Sequence, residues 1–386
     1  MKNKLISMLA LILVFGLLAA CGQAPAQSTP ETGSVAEAAE ASAIPAAEAE
    51  TSAEPDIPAE AESPAAEESV QESVQEPVQE ASAVEAPEAE EPEEAPEVFD
   101  PEALFTDYLD EPAVSDMYTE VADKFELLEY TDPDTGLTIP YHLFTPAQAE
   151  TEPCPMIMFI GDATCTGTNT DYSLAQGYGG IIWATESEQA KHPCYVMVPV
   201  FPEVIIEDNV NPPYISEYMD AAGRMVEAVA EENNVDTNRI YTTGQSMGCM
   251  TSLYLAAHHP DLFAAELFVS GQWQIDELQG LETQTFFYVA AGGDPKASAG
   301  QTDVMADLDS KGLSYSVSYD WDANLDDAGL EEALRAEIAE GNAMNFGQFA
   351  AGTVTEANPR GMEHMSSFDC AYKIDVLRNW LFAQSK

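Results

Sequence analysis

The amino-acid sequence predicts an α/β fold, a mostly parallel central sheet with helices on both faces, preceded by a long disordered stalk. Three observations carry this expectation. Short, continuously apolar runs recur through the C-terminal part of the chain, as strands buried on both faces require. Helical patterns fall between those runs, the alternation that builds a parallel sheet with crossover helices. Upstream, from Gln23 to about Asp100, the chain is almost entirely Ala, Glu, Pro, Ser and Val, with no lysine or arginine and no aromatic until Phe99.

The first ordered stretch reads as a β-hairpin, with Lys124–Tyr130 and Leu137–Phe144 flanking the turn Asp132-Pro-Asp-Thr-Gly136. Buried strands are expected at Met156–Ile160, Tyr195–Pro199, Arg239–Thr242, Ala264–Val269 and Thr285–Ala290. Helices are expected at Ile215–Glu231, Met247–His258 and Asp303–Ser310. Val235-Asp-Thr-Asn238 reads as a turn between helix and strand. Asn324–Glu340 reads as a further amphipathic helix, an insertion near the functional face. Residues 101–386 make one domain's worth of chain, ample for a large core.

At the N-terminus, Lys2 and Lys4 precede an apolar run from Leu5 to Ala20 and then Cys21-Gly22, which reads as a signal peptide over residues 1–20. The run is short for a spanning helix, which takes about 20 apolar residues. Leu18-Ala-Ala-Cys21 resembles a bacterial lipobox, which implies lipidation of Cys21 and a secreted protein anchored to the outer face of a bacterial membrane. Each buried methylene adds about 0.8 kcal/mol, so several acyl chains anchor stably where one does not. Residues 21–100 carry degenerate repeats such as Glu68-Ser-Val-Gln71 and Glu72-Ser-Val-Gln75. Such a segment cannot bury enough apolar surface to offset its ordering entropy, and its prolines and like charges extend it. The formal net charge of −56 argues against nucleic acid or an anionic membrane surface as partner. After Cys21, the five cysteines are scattered and odd in number, giving no disulfide framework and no metal-ligand spacing. No metal or cofactor is expected, and no protein partner is evident.

The chemistry gathers at Gly244-Gln245-Ser246-Met247-Gly248. Glycines two before and two after a serine permit a sharp strand-to-helix turn that lifts the hydroxyl out of the sheet. The helix that starts there aims its N-terminus, and the Met247 N–H, at an oxyanion forming on a substrate. This is the pattern of an α/β-hydrolase nucleophile, whose partners follow in the order Ser, Asp or Glu, His. Of the five histidines, His142 and His192 precede the serine, and His258 and His259 end the helix it starts. His364 remains, in the loop-like stretch Gly361-Met-Glu-His-Met-Ser-Ser-Phe368 before the last helix. For the acid, Thr285–Ala290 runs into Ala291-Gly-Gly-Asp294-Pro295, where a carboxylate can accept the imidazole Nδ1–H and fix its tautomer. Asp294 is the first choice; Asp320 and Asp322, ending the next strand, compete. Trp273, in Ser270-Gly-Gln-Trp273, falls where loops line such a site, and reads equally as a substrate contact or a packed loop tryptophan.

Gly-Gln-Ser-Met-Gly with His259-Pro-Asp-Leu-Phe-Ala264, and then Glu363-His-Met-Ser-Ser-Phe-Asp369, resembles secreted esterases of the polyhydroxybutyrate-depolymerase and feruloyl-esterase type. These are relatives of the prolyl-oligopeptidase catalytic domain, and the likeness runs from about Glu126 to the C-terminus. It implies Ser246 as nucleophile, Asp294 as acid, His364 as base, and a second oxyanion donor in the loop after Met156–Ile160. There the chain reads Gly161-Asp162-Ala163-Thr164 where such proteins carry His-Gly. A carboxylate about 4 Å from the oxyanion would cost about 4 kcal/mol at an effective dielectric near 20. The backbone N–H of Asp162 is therefore expected as donor, with its side chain turned away onto nearby N–H groups or the Thr164 or Thr166 hydroxyl. The expected reaction is hydrolysis of a small-molecule or polymer-linked carboxylic ester through an acyl-enzyme, without a cofactor. A serine peptidase of prolyl-oligopeptidase type is the alternative, and a catalytically silent binding protein on the same scaffold is a third reading.

Overall fold

A computed structural model describes Asp100 to Lys386 apart from residues 107, 110 and 111. The expected signal peptide, Cys21 and the expected stalk up to residue 99 lie outside the described residues. The hairpin forms as expected from β1 (Glu126–Thr131) and β2 (Thr138–Phe144). There follow β3 (Cys154–Ile160), β4 (Tyr195–Pro199), a small pair β5 (Ile206–Glu207) and β6 (Tyr214–Ile215), β7 (Val235–Gln245), β8 (Ala265–Val269), β9 (Phe286–Ala291), β10 (Ser316–Trp321) and β11 (Met344–Phe349). The helices are α1 (Val114–Val121), α2 (Tyr172–Ala175), α3 (Glu186–Lys191), α4 (Tyr218–Glu232), α5 (Met247–His258), α6 (Pro295–Lys311), α7 (Asp327–Ile338), α8 (Thr353–Ala357), α9 (Glu363–Lys373) and α10 (Asp375–Phe382).

Nine strands form one sheet in the order β1-β2-β4-β3-β7-β8-β9-β11-β10, with β5 and β6 paired separately. From β4 to β10 every neighbouring pair is parallel, whereas β2 is antiparallel to both β1 and β4. β3, β8 and β9 are buried along their whole length, which is why their sequences are continuously apolar rather than alternating. One face of the sheet packs Met225 of α4, Leu253 of α5 and Leu308 of α6 against Met158, Phe268 and Phe286. The other packs Leu334 of α7, Phe368 of α9 and Leu377 of α10 against Phe159, Leu267 and Phe287. Each such side chain contributes about 1.5–3 kcal/mol by leaving water. Helix α5 is buried on every side from Met247 to Ala257, so it lacks the polar stripe that α4 carries.

Four local expectations are corrected. Val235–Asn238 is not a free turn: Val235 already pairs with Cys154, and the register jumps to Met156↔Ile240, leaving a bulge. Asp236 holds that bulge, accepting from the Asn238 amide at 3.0 Å and from Arg239 Nε at 2.7 Å. The helix expected from Asp303 begins at Pro295, where proline suits a first helical position. The segment expected as an insertion near the functional face contains α7, the crossover from β10 to β11, packed on the opposite side of the sheet from α6. Finally, His364 lies not in a loop but in the first turn of α9.

Candidate active site

β7 delivers the chain to Ser246 at the C-terminal edge of the sheet, and α5 leaves immediately after it. Ser246 has φ 54° and ψ −115°, a conformation that costs a side-chain-bearing residue of order 1–3 kcal/mol and persists only where its surroundings enforce it. The two glycines make the enforcement possible. A Cβ on Gly244 would overlap the Gly248 backbone, and one on Gly248 would overlap the Ile160 carbonyl of the neighbouring strand. The Ser246 amide donates to Val269 O at 3.2 Å, which pins the turn to β8.

His364 Nε2 lies 2.8 Å from Ser246 Oγ, and His364 Nδ1 lies 2.6 Å from Asp294 Oδ2. Asp294 follows β9 and caps α6, its Oδ1 accepting from the Lys296 and Ala297 amides at 3.1 and 3.3 Å. Burial works against ionisation of Asp294, but the bond to His364, that ring's charge and the two amides outweigh it and hold the carboxyl below its usual range. Asp320 is exposed, and Asp322 is occupied with Asn324 at 3.0 and 2.9 Å, so neither competitor is placed beside the imidazole. The other histidines are engaged elsewhere: His142 with Thr170 O, His192 with Asn379, His258 with Glu277 O, and His259 packed over Gly223. Ser367, one turn on from His364, donates to His364 O at 2.8 Å and meets Ser270 Oγ at 2.6 Å, tying α9 to the end of β8.

The three side chains open onto a cavity of about 510 Å³. Its apolar wall includes Met247, Met250, Ile206 and Met362. The β5–β6 hairpin closes one side. Asp208 Oδ2 accepts from Gln272 Nε2 at 2.6 Å and Lys296 Nζ at 2.8 Å, and the same Nζ donates to Asn209 Oδ1 at 2.6 Å. Trp273 does not line the cavity: it is 6% exposed and packs in the core, and its neighbour Gln272 faces the cavity instead. Among the described residues no group of three or more His, Cys, Asp or Glu side chains could hold a metal, and all five described cysteines are buried.

Two backbone amides are placed to receive negative charge. Met247 N–H heads α5, and Ala163 N–H heads a short 3₁₀ turn after β3; neither has an acceptor among the described residues. Ala163 lines the cavity, whereas Asp162, the residue expected as donor, does not. The Asp162 carboxylate is turned into the protein, where Oδ1 accepts from the Thr164 amide and hydroxyl at 2.7 and 2.6 Å and Oδ2 accepts from Gln176 Nε2 at 2.5 Å. Such an arrangement can withdraw a proton from a hydroxyl and shelter the charge that develops on an attacked carbonyl.

Residues 217–292 match the prolyl oligopeptidase family of peptidases, a span that contains Ser246 but stops short of Asp294 and His364. A thermostable esterase has a similar structure, with a TM-score of 0.53 and 23% identity, over 68% of this chain and 64% of the esterase. The fold is that of the α/β-hydrolases. The fluorophosphonate-binding serine hydrolase FphF of Staphylococcus aureus follows at a TM-score of 0.42 and 12% identity, over 67% of this chain and 98% of its own. A ferulic acid esterase matches with a TM-score of 0.40 and 10% identity, over 66% and 98% of the two chains. No curated protein matches the sequence significantly. The match to the thermostable esterase thus spans less than two thirds of that protein's length.

Sequence reading missed Gln176, Gln245, Gln272, Lys296 and Asp208. Only Lys296 carried a signal, its place two residues beyond Asp294 in a helix begun by Asp-Pro. The glutamines act through contacts between distant segments, which no local pattern announces.

Proposed function

We propose that the chain is a serine hydrolase of carboxylic esters that works outside the cytoplasm. The observation that carries the reading is the unbroken hydrogen-bond chain from Ser246 Oγ through His364 to Asp294. In this reading His364 Nε2 takes the hydroxyl proton as Ser246 Oγ attacks the ester carbonyl. Met247 and Ala163 donate to the oxyanion. The imidazolium, steadied by Asp294, then protonates the departing alkoxide, leaving an acyl-enzyme. Water, deprotonated by the same imidazole, releases the acid and restores the serine.

Ester is preferred over peptide because the motifs around Ser246 and His364 resemble secreted esterases, and because residues 21–100 have a linker's composition rather than a propeller's repeats. The match to the prolyl oligopeptidase family favours a second reading, a serine peptidase using the same three side chains. The test is a panel of short acyl esters, aryl esters and peptide amides, with fluorophosphonate labelling in parallel. Wild-type protein should label and cleave esters, and Ser246→Ala should lose both, by orders of magnitude in rate, with its thermal midpoint within a few degrees. Retained turnover in Ser246→Ala would sink the assignment, and cleavage of amides alone would favour the peptidase.

We further propose export and lipid anchoring at Cys21. The support is the run Lys2, Lys4, Leu5–Ala20 and Leu18-Ala-Ala-Cys21.

A further inference from the structure

We propose that Gln176 is a positioning residue that fixes the oxyanion loop relative to the nucleophile, an inference that rests on the serine-hydrolase reading. Gln176 follows α2 and is 7% exposed. Its Nε2 donates to Asp162 Oδ2 at 2.5 Å and to Thr164 Oγ1 at 3.0 Å. Its Oε1 accepts from Gln245 Nε2 at 2.8 Å and from Cys165 Sγ at 3.0 Å. A side-chain amide has two donors and two acceptor sites, and all four are used here. One buried amide therefore joins the residue just before Ser246 to the residue just before Ala163. Gln176, with every site used, holds its partners in one arrangement, while Gln245 at the end of the bridge keeps a buried Oε1 without a partner.

The anchor is itself anchored. Gln176 O accepts from Arg360 Nη2 at 3.0 Å, and Arg360 Nη2 pairs with Asp369 Oδ2 of α9 at 2.7 Å. Asp369 Oδ1 accepts from the Tyr178 amide at 3.0 Å, and a Cβ on the intervening Gly177 would overlap that oxygen. The segment bearing Gln176 is thus clamped to the helix that carries His364. An oxyanion donor works only when it lies about 2.7–3.1 Å from where the charge will form. Met247 N–H is set by the Ser246 turn, and Ala163 N–H by its loop; beyond the β3–β7 pairing that ends at Ile160 and Gly244, the bridge Gln245–Gln176–Asp162 couples the two through side chains. It also explains why an aspartate is tolerated beside the site, because its carboxylate is consumed in holding the loop.

The bridge can be broken from each side and rebuilt with its polarity reversed. Gln176→Glu sets a carboxylate against Asp162. Asp162→Asn sets a donor against Gln176 Nε2, a conflict relieved only if Gln176 and Gln245 both turn over, which leaves Gln245 Nε2 buried where no acceptor faces it. In the double variant, the new asparagine donates to the new glutamate, whose other oxygen still accepts from Gln245. Each single variant should lower kcat on a soluble nitrophenyl ester at least tenfold with KM within twofold. Each should weaken a trifluoromethyl ketone, which mimics the tetrahedral adduct, in parallel. The double variant should recover most of kcat. Single variants within twofold of wild type in kcat, or a folded double variant no better than the worse single one, would overturn the inference. Should a single variant fail to fold, Gln245→Met removes one arm of the bridge together with an unpartnered buried Oε1. It should lose at least tenfold in kcat, and wild-type kcat there would equally overturn it. Wild-type protein that a fluorophosphonate does not label would instead refute the underlying reading; labelled, active wild type with unaffected variants refutes this one alone.

Discussion

Asp294 holds two structural duties in one carboxylate: one oxygen faces His364 Nδ1 and the other caps α6. Asparagine caps a helix about as well as aspartate but cannot stabilise an imidazolium or enforce its tautomer. Asp294→Asn should therefore lower kcat/KM about 10³- to 10⁴-fold and leave urea unfolding close to wild type, while Asp294→Ala should lose the same activity and about 1 kcal/mol of stability. Activity within tenfold of wild type in Asp294→Asn would remove it from the mechanism. At this scale the sequence was most readable where chemistry narrows the choice. Chain order and the shortage of histidines single out His364, and a strand running into Gly-Gly-Asp-Pro marks Asp294. Which of two neighbours faces a cavity is not written locally. Trp273 turned into the core and Gln272 outward because packing from distant segments sets that rotation. The inward turn of the Asp162 carboxylate onto Thr164 was legible, a local Asx habit, but not that Ala163 rather than Asp162 would stand at the cavity wall.

Among the elements, the buried parallel strands were legible because both faces are dry and their sequences are uniformly apolar. β11 was not, since Met344-Asn-Phe-Gly-Gln-Phe349 is half polar. Its glycine is there because a Cβ on Gly347 would overlap the Trp321 ring of β10, a reason visible only once the two strands are paired. Helix α7 was found but misplaced, because an amphipathic stripe says that a face is buried and not against which side of the sheet. That helix buries Glu337, 2% exposed, and burial pushes its carboxyl up to about 9, the Phe346 amide offsetting only part of the effect. A raised folded-state value means no penalty below about pH 4.5, where the group is protonated folded or unfolded. As pH rises from there towards about 9, the unfolded chain releases the proton and the folded one resists, so stability is lost. Glu337→Gln should remove that loss. Its thermal midpoint should match wild type near pH 4.5 and exceed it by several degrees at pH 8, at about 2–4 °C per kcal/mol for a domain of this size. Equal midpoints at both pH values would mean that the carboxylate reaches water.

For the whole molecule, 69 acidic residues against 13 basic ones leave a surface that repels itself and other anions. An anionic bilayer then offers no electrostatic foothold, which fits the covalent anchor proposed at Cys21. Cys21→Ser should shift the protein from the membrane fraction to the medium, or leave it as unprocessed precursor, on fractionation and blotting of the full chain. Normal processing with membrane retention would discard the anchor.

Ser246 and His364 stand 118 residues apart along the chain, and Asp294 precedes the histidine by 70. A chain still emerging from the ribosome, or one clipped ahead of α9, therefore carries only an ordinary alcohol on its elbow. Arming that alcohol requires the C-terminal helices to seat against β8 and β9. On the proposed mechanism, covalent labelling of Ser246 therefore reports the finished fold, and a chain that lacks a seated α9 should not label.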